Sequence, residues 1–266
     1  MAGSKKNIIK KWYDKLHFPT EYDEQFSLIL ENCDLGGVTV AEEYEYNEDT
    51  GKNLCAYLYF CEAVSEKYKR HGISDEILLD TLSDIVVWTK IYYGMWGKVG
   101  FAEVSWIRRH LTFKLFKLGR LQFEITDAEC DIDAFDTECG DPILAVHIPG
   151  VGPLSESDAI ASFNMAKEFF GSYFPAYSYK CFTCHSWLLD PTLKKYLRDG
   201  ANILRFAELF TPVSSEKSDT LLKYIFRRDT TRESVANEEK KSGFAERIAD
   251  AIANGEIFYE VLGARK

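Results

Sequence analysis

Residues 142–170 read Pro142-Ile-Leu-Ala-Val-His-Ile-Pro-Gly-Val-Gly-Pro-Leu-Ser-Glu-Ser-Asp-Ala-Ile-Ala-Ser-Phe-Asn-Met-Ala-Lys-Glu-Phe-Phe170, and the order of chemistry along them decides the fold. The continuous apolar run at 143–148 predicts a strand buried on both faces. A glycine-rich turn follows, and then Ile160, Phe163, Ala166 and Phe170 recur at helical spacing. The order is strand, glycine turn and helix. Gly150 and Gly152 let backbone come close to a ligand, and the first N–H groups of a helix favour negative charge. A phosphate or pyrophosphate suits that geometry, with Gly150, Val151, Gly152, Leu154 and Ser155 as the residues that would hold it. Pro153 has no N–H to offer.

Working outward, the first hundred or so residues read as helical. An N-terminal helix alternates Lys5, Lys6, Lys10, Lys11 and Lys15 with Ile8, Ile9, Trp12 and Leu16, a solvated face opposite a packed one. A second stripe, Leu54, Leu58, Cys61 and Val64, runs to about Tyr68 and ends near Gly72. Ser74 is placed as the N-cap of a third helix, with Asp75 and Glu76 in its first turn and an apolar stripe through Leu78, Leu82, Ile85 and Trp88. These stripes predict a bundle core.

The pattern changes near residues 106–119. Leu121, Phe123 and Ile125 then alternate with Arg120, Gln122 and Glu124, the period of a strand with one apolar face and one polar face. The polar row either lines a cleft or is a solvated outer face. Residues 127–140 are rich in carboxylates without the central glycine of a calcium loop, and read as a solvated hairpin connection. Beyond the glycine-turn helix, the pattern predicts a strand at 179–186, a helix from about Asp190-Pro191, a strand at 221–226, a helix bearing Phe244, Ile248 and Ile252 that stops at Asn254-Gly255, and a last strand at 257–262. Residues 211–219 and 229–241 read as flexible connections.

Composition sets outer bounds. At 266 residues the chain is long enough for one large domain or two small ones, and 46% apolar residues make it globular. A net charge of -10 argues against a general binder of nucleic acid or anionic membrane. A local basic cluster, Arg108, Arg109, His110, Lys114, Lys117 and Arg120, either meets phosphates or an acidic carrier protein or is solvated surface. No run reaches the roughly 18 apolar residues of a membrane span, and Met1-Ala-Gly-Ser-Lys-Lys leads into no apolar signal segment, so a cytoplasmic protein is expected. Seven cysteines, an odd and scattered set, fit reduced thiols. Cys181-Phe-Thr-Cys184-His185 has the spacing of haem, zinc or redox motifs, but on a strand the two cysteines face opposite sides and cannot share one ligand; no metal is expected.

The turn His147-Ile-Pro-Gly150-Val-Gly152 resembles the Gln/Arg-x-x-Gly-x-Gly/Ala pyrophosphate loop of the GNAT acyltransferases, with His in the first position. Gly119-Arg-Leu-Gln-Phe-Glu124, Cys184-His-Ser-Trp-Leu-Leu-Asp-Pro191 and Asn202-Ile-Leu-Arg-Phe206, taken with His147-Ile-Pro and Gly152-Pro-Leu154, extend the likeness over nearly the whole chain. Together they resemble GNAT-like acyltransferases with a helical N-terminal domain. That resemblance implies an α/β (α+β) fold, a helical domain at 1–110 followed by a mixed-sheet acyltransferase domain at 111–266. It also implies a coenzyme A thioester such as acetyl-CoA as acyl donor, and a small-molecule or carrier-bound acyl acceptor. The competing expectation is a catalytically silent coenzyme A binding or protein-interaction module on the same fold, which His147 in the turn's first position and Pro153 both favour.

Direct acyl transfer needs a group to take the acceptor's proton. Glu124 is the first candidate, since a carboxylate turned inward beside a cofactor turn can have its proton affinity raised by desolvation; His147 at the end of the buried strand is its rival. Arg120 and Gln122 share the polar row with Glu124 and would meet substrate. A covalent route through Ser186 or Cys184 is weaker, because His185 would point away from both and no Gly-x-Ser-x-Gly surrounds Ser186.

Overall fold

The computed structural model describes residues 2–37, 39–227 and 229–266. Helix α1 (Ala2–Lys15) turns Ile9, Trp12 and Leu16 inward, as its lysine-rich pattern requires. Trp12 is fully buried and its Nε1 donates to Glu62 at 2.7 Å, while Lys11 pairs with the same carboxylate at 2.8 Å. Helix α2 (Asp23–Asn32) leads to α3 (Thr50–Arg70), which begins earlier than its apolar stripe suggests because the Asp49 carboxylate accepts the N–H groups of Gly51 and Lys52 as a cap.

Ser74 caps α4 (Asp75–Leu82), accepting the Ile77 N–H. The stripe expected to run on unbroken from Leu78 to Trp88 is divided at Ser83, where α5 (Asp84–Trp96) begins. Helix α6 (Val104–Leu111) ends the helical run.

Strands β1 (Leu115–Leu118) and β2 (Leu121–Asp127) form an antiparallel hairpin about Gly119, whose φ of +70° is the left-handed conformation such a turn demands. Strand β3 (Pro142–His147) is the run read from sequence as a buried strand, and α7 (Glu156–Tyr173) follows its glycine turn. Ala159, Phe163, Ala166 and Phe170 are the buried stripe of α7, whereas Ile160 is 36% exposed. Then come β4 (Phe182–Ser186), a 3₁₀ turn at Pro191–Lys195 capped by Asp190, α8 (Asn202–Ala207), β5 (Thr211–Lys217), α9 (Thr220–Ile225), α10 (Gly243–Ala253) and β6 (Tyr259–Arg265). The six strands make one mixed sheet in the order β1-β2-β3-β4-β6-β5, in which β3 and β4 are parallel.

Three expectations are corrected. Residues 221–226 were expected as a strand and are helical: Leu221 and Leu222 point into a core with Val235, Ile248 and Phe258 while Tyr224 is 65% exposed, a spacing that a helix satisfies and a strand would not. Residues 211–219 were expected as a flexible connection, yet β5 pairs with β6 along its length. The carboxylate-rich connection at 127–140 is partly built into the protein, since Ala128 and Ile132 are buried and Ile132 bridges to Thr137.

The chain divides into two compact units. One contains residues 1–124, 149–151 and 166–175; the other contains 125–148, 152–165 and 176–266. In the first, Phe113 and Phe116 pack with Phe174 and with Tyr68. In the second, Phe163 packs against Phe182 and Phe210, and the Arg265 guanidinium lies 4.7 Å from the Phe163 ring. Tyr177 donates to the carbonyls of Thr126 at 2.8 Å and Ile143 at 2.6 Å, tying the end of β2 to the start of β3.

Candidate active site

Candidate residues fall in both units. In the first, the polar row of β2 is not a solvated face. Gln122 is buried, and its Nε2 lies 3.3 Å from His110 Nε2. His110 Nε2 in turn lies 3.1 Å from Asp84 Oδ2, which also accepts the Trp106 Nε1–H at 2.8 Å. Burial works against the charge of Asp84, but the hydrogen bond and attraction of His110, with Trp106 and Gln122 as further donors, outweigh it and hold the carboxyl below the usual carboxylate range. Trp106, Arg109 and His110 share one face of α6 by their three- and four-residue spacing. From that face Arg109 Nη1 reaches Glu124 Oε2 at 2.8 Å, and its guanidinium stacks over Trp106 at 5.3 Å. The basic cluster, read from sequence either as a phosphate or carrier contact or as solvated surface, is divided: Arg108 donates to the Tyr44 carbonyl, Arg109 pairs with Glu124 and His110 is buried beside Asp84.

The ion pair changes the chemistry open to Glu124. Its Oε2 accepts from the Arg109 guanidinium, so that oxygen can take an acceptor's proton only when the pair parts.

In the second unit β3 pairs with β4 at Leu144↔Phe182 and Ala145↔Thr183, and both strands run on beyond those positions. The recorded pairing of β3 with β4 ends at Ala145↔Thr183, short of His147. His147 is half-buried at the C-terminal end of β3; His185 is exposed, with Nε2 3.7 Å from Glu216 Oε1 on β5. Ser186 Oγ accepts the Leu188 N–H at 3.2 Å and caps the following turn. Cys184 is buried, and burial pushes its thiol up to about 12. Cys181, just before β4, packs with Ile132 and Ile143 beside Thr137. Among the described residues no cluster of three or more histidine, cysteine or carboxylate side chains is arranged to hold a metal.

The turn from β3 to α7 has the local form that its glycines predict. Gly152 has φ +71°, and a Cβ placed at Gly150 or Gly152 would meet nothing within 4 Å. Val151 is 42% exposed. Ser155 is committed to the helix: its Oγ accepts the Asp158 N–H at 3.1 Å and donates to Asp158 Oδ2 at 2.6 Å. Glu156 and Asp158 add negative charge to the first turn of α7, so an anion meets competition at the helix end itself.

Residues 115–264 match the family model of the GNAT-like C-terminal domain, and residues 13–113 match that of the N-acyltransferase N-terminal domain. The chain belongs to the GNAT-like N-acyltransferases. Among solved structures of similar fold, an acyltransferase in complex with coenzyme A and 10C-teicoplanin is 25% identical with a TM-score of 0.72, over 81% of this chain and 66% of that one. An acyltransferase bound to decanoyl-CoA is also 25% identical, with a TM-score of 0.70 over 80% of this chain and 65% of that one. This GNAT-like chain therefore spans just under two thirds of the length of those two neighbours. A third, an acyltransferase with decanoyl-CoA and teicoplanin, shares the fold at 21% identity and a TM-score of 0.77 over 97% of this chain and 87% of that one. No curated protein matches the sequence. No helix among the described residues is long and apolar enough to cross a membrane.

Proposed function

We propose that this protein transfers an acyl group from a coenzyme A thioester to a small-molecule or carrier-bound acceptor. The observation that carries this reading is the β3–glycine turn–α7 unit, with room for a side chain at Gly150 and Gly152, in a GNAT-like chain whose solved neighbours hold coenzyme A or acyl-CoA. Backbone N–H groups from Gly150 to Leu154, Pro153 excepted, would hold the pyrophosphate, with Ser155 supporting the turn through its cap on α7. The neighbours' decanoyl-CoA and teicoplanin favour an acyl chain longer than acetyl and a small-molecule acceptor.

In the reaction the acceptor's nitrogen or oxygen attacks the thioester carbonyl, the carbon–sulfur bond breaks and coenzyme A leaves as the thiol, so a base must take the acceptor's proton and an acid must return one to sulfur. Of the two bases that the sequence offers, the geometry favours His147. It ends the strand that leads into the proposed cofactor turn. Arg120 and Gln122 remain candidates for the acceptor side as neighbours of Glu124, with Gln122 acting from beneath through its contact with His110. Ser186, engaged as a cap, supports a direct rather than a covalent transfer. Free thiols throughout suit a reducing compartment, and we place the protein in the cytoplasm.

Calorimetric titration with acetyl-CoA and decanoyl-CoA, followed by chromatographic detection of released coenzyme A over a panel of amines and alcohols, tests this reading. Binding of either thioester with acceptor-dependent release supports it. Absence of binding overturns it, and binding without release over the whole panel leaves the silent coenzyme A module in its place.

A further inference from the structure

Helix α5 is mostly apolar all round, a composition that belongs to an interior, yet one side of it faces solvent. Ile85, Val86 and Thr89 are buried, while Ile91, Met95 and Trp96 are 37%, 44% and 64% exposed. Val87, Ile91 and Met95 recur at four-residue spacing with Tyr92 and Trp96 on the adjoining row, so these groups form one stripe. The end of the helix is held from behind. The Tyr93 ring lies 4.5 Å from that of Tyr22, Gln25 Nε2 donates to the Gly97 carbonyl at 3.1 Å, and Gln25 Oε1 accepts the Val99 N–H at 2.9 Å. Leu28, one turn beyond Gln25 on α2 and 57% exposed, extends the apolar surface on that side.

The charge around the stripe has one sign. Residues 85–102 contain no Asp or Glu in a chain that has 42 among 266 residues, and their only charged members are Lys90 and Lys98. Both lysines are exposed, and among the described residues neither ammonium has an ion-pair or hydrogen-bond partner. The lysines of α1 differ: Lys10, Lys11 and Lys15 pair with Asp14, Glu62 and Asp75, and Lys5 and Lys6 donate to the carbonyls of Gly36 and Glu31. Size then decides the occupant. The exposed parts of Leu28, Ile91, Met95 and Trp96 come to about 400 Å², half of the roughly 800 Å² that each partner brings to a stable protein interface. A second copy of the chain would be held by too little area. Tryptophan, aliphatic side chains and free lysines on one surface helix instead suit the headgroup boundary of an anionic bilayer.

We propose that this face of α5 is a peripheral membrane contact, in which Ile91, Met95 and Trp96 enter the boundary between headgroups and acyl chains while Lys90 and Lys98 meet anionic headgroups. The helix lies on the bilayer, since no described helix is long and apolar enough to cross one. At physiological salt, charges more than about 8 Å apart are largely screened, so the two local lysines govern the contact rather than the net charge of -10. The anionic leaflet is the cytoplasmic one, in keeping with the compartment proposed above.

The test is co-flotation of the full chain with phosphatidylcholine vesicles, with and without phosphatidylglycerol, at physiological salt. The expected result is flotation with the anionic vesicles, weakened about tenfold or more by Trp96→Glu and roughly fivefold by either Lys90→Ala or Lys98→Ala. Tyr224→Glu, the same kind of change at an exposed aromatic in the other unit, should leave flotation as it was. All four substitutions fall at exposed positions, and thermal melts of each variant separate a lost contact from a lost fold. No flotation of the parent chain, undiminished flotation of Trp96→Glu, or equal flotation with and without phosphatidylglycerol would overturn the proposal. So would a dimer in analytical ultracentrifugation that Trp96→Glu dissociates, which would give the face to a second copy. None of these readouts involves a thioester, so failure here is separate from failure of the proposed activity.

Discussion

Arg109 Nη1 lies 2.8 Å from Glu124 Oε2, joining the last helix before the sheet to the sheet's second strand. The pair is half in solvent on the arginine side, 46% exposed against 13% for the glutamate, so its strength lies between that of a surface ion pair and that of a buried one. A double-mutant cycle of Arg109→Met and Glu124→Gln, read by urea denaturation, should give a coupling energy of about 1 kcal/mol. Additive effects would mean that the two side chains do not hold each other in solution.

Two variants test the proposed base. His147→Gln should lower turnover by roughly 100-fold with little change in thioester affinity, whereas Glu124→Gln should cost roughly tenfold or less. Steady-state rates with calorimetric affinities for each variant decide the matter. The reverse order would return the proton transfer to Glu124 and make Arg109 the group that must release it.

Asp84 gives a stability prediction with a definite sign. Its carboxyl is held below the usual range in the folded state, so the unfolded chain binds its proton more readily, and the stabilisation is present above the unfolded value of about 4 and disappears as pH falls through the folded one. Asp84→Asn removes that contribution and leaves His110, fully buried and already with no hydrogen-bond partner at Nδ1, without its charged acceptor. At neutral pH the variant should be destabilised by about 3 kcal/mol. The difference from the parent should shrink as pH drops below 4, and guanidinium melts across that range would show it; a pH-independent difference would sever Asp84 from the effect.

The glycine turn separates binding from folding. Gly150→Val adds a side chain into open space, so it should reduce coenzyme A affinity tenfold or more while leaving the melting temperature unchanged. Gly152→Ala forces a Cβ into φ +71° and should cost about 1 kcal/mol of stability whatever it does to the cofactor. Paired calorimetry and thermal melts read both. Unaltered affinity in Gly150→Val would take the phosphate away from this turn.

Local pattern carried much of the architecture. The run at 143–148 is β3, the stripe through Phe244, Ile248 and Ile252 is α10 ending at Asn254 and Gly255, and Ser74 caps a helix, because burial periodicity and capping are properties of neighbours in sequence. Residues 211–217 escaped that logic. Their side chains are almost all exposed, so no apolar alternation marks them, and they are a strand only because β6 offers backbone partners to that edge. Leu221 and Leu222 likewise became helical in a core whose other members come from distant segments. The candidate site divides in the same way. The glycine turn and its place between a strand and a helix were written in the sequence. That Glu124 is paired and Gln122 buried against His110 was settled by tertiary structure, since the strength and role of a polar group depend on the partner that folding brings to it.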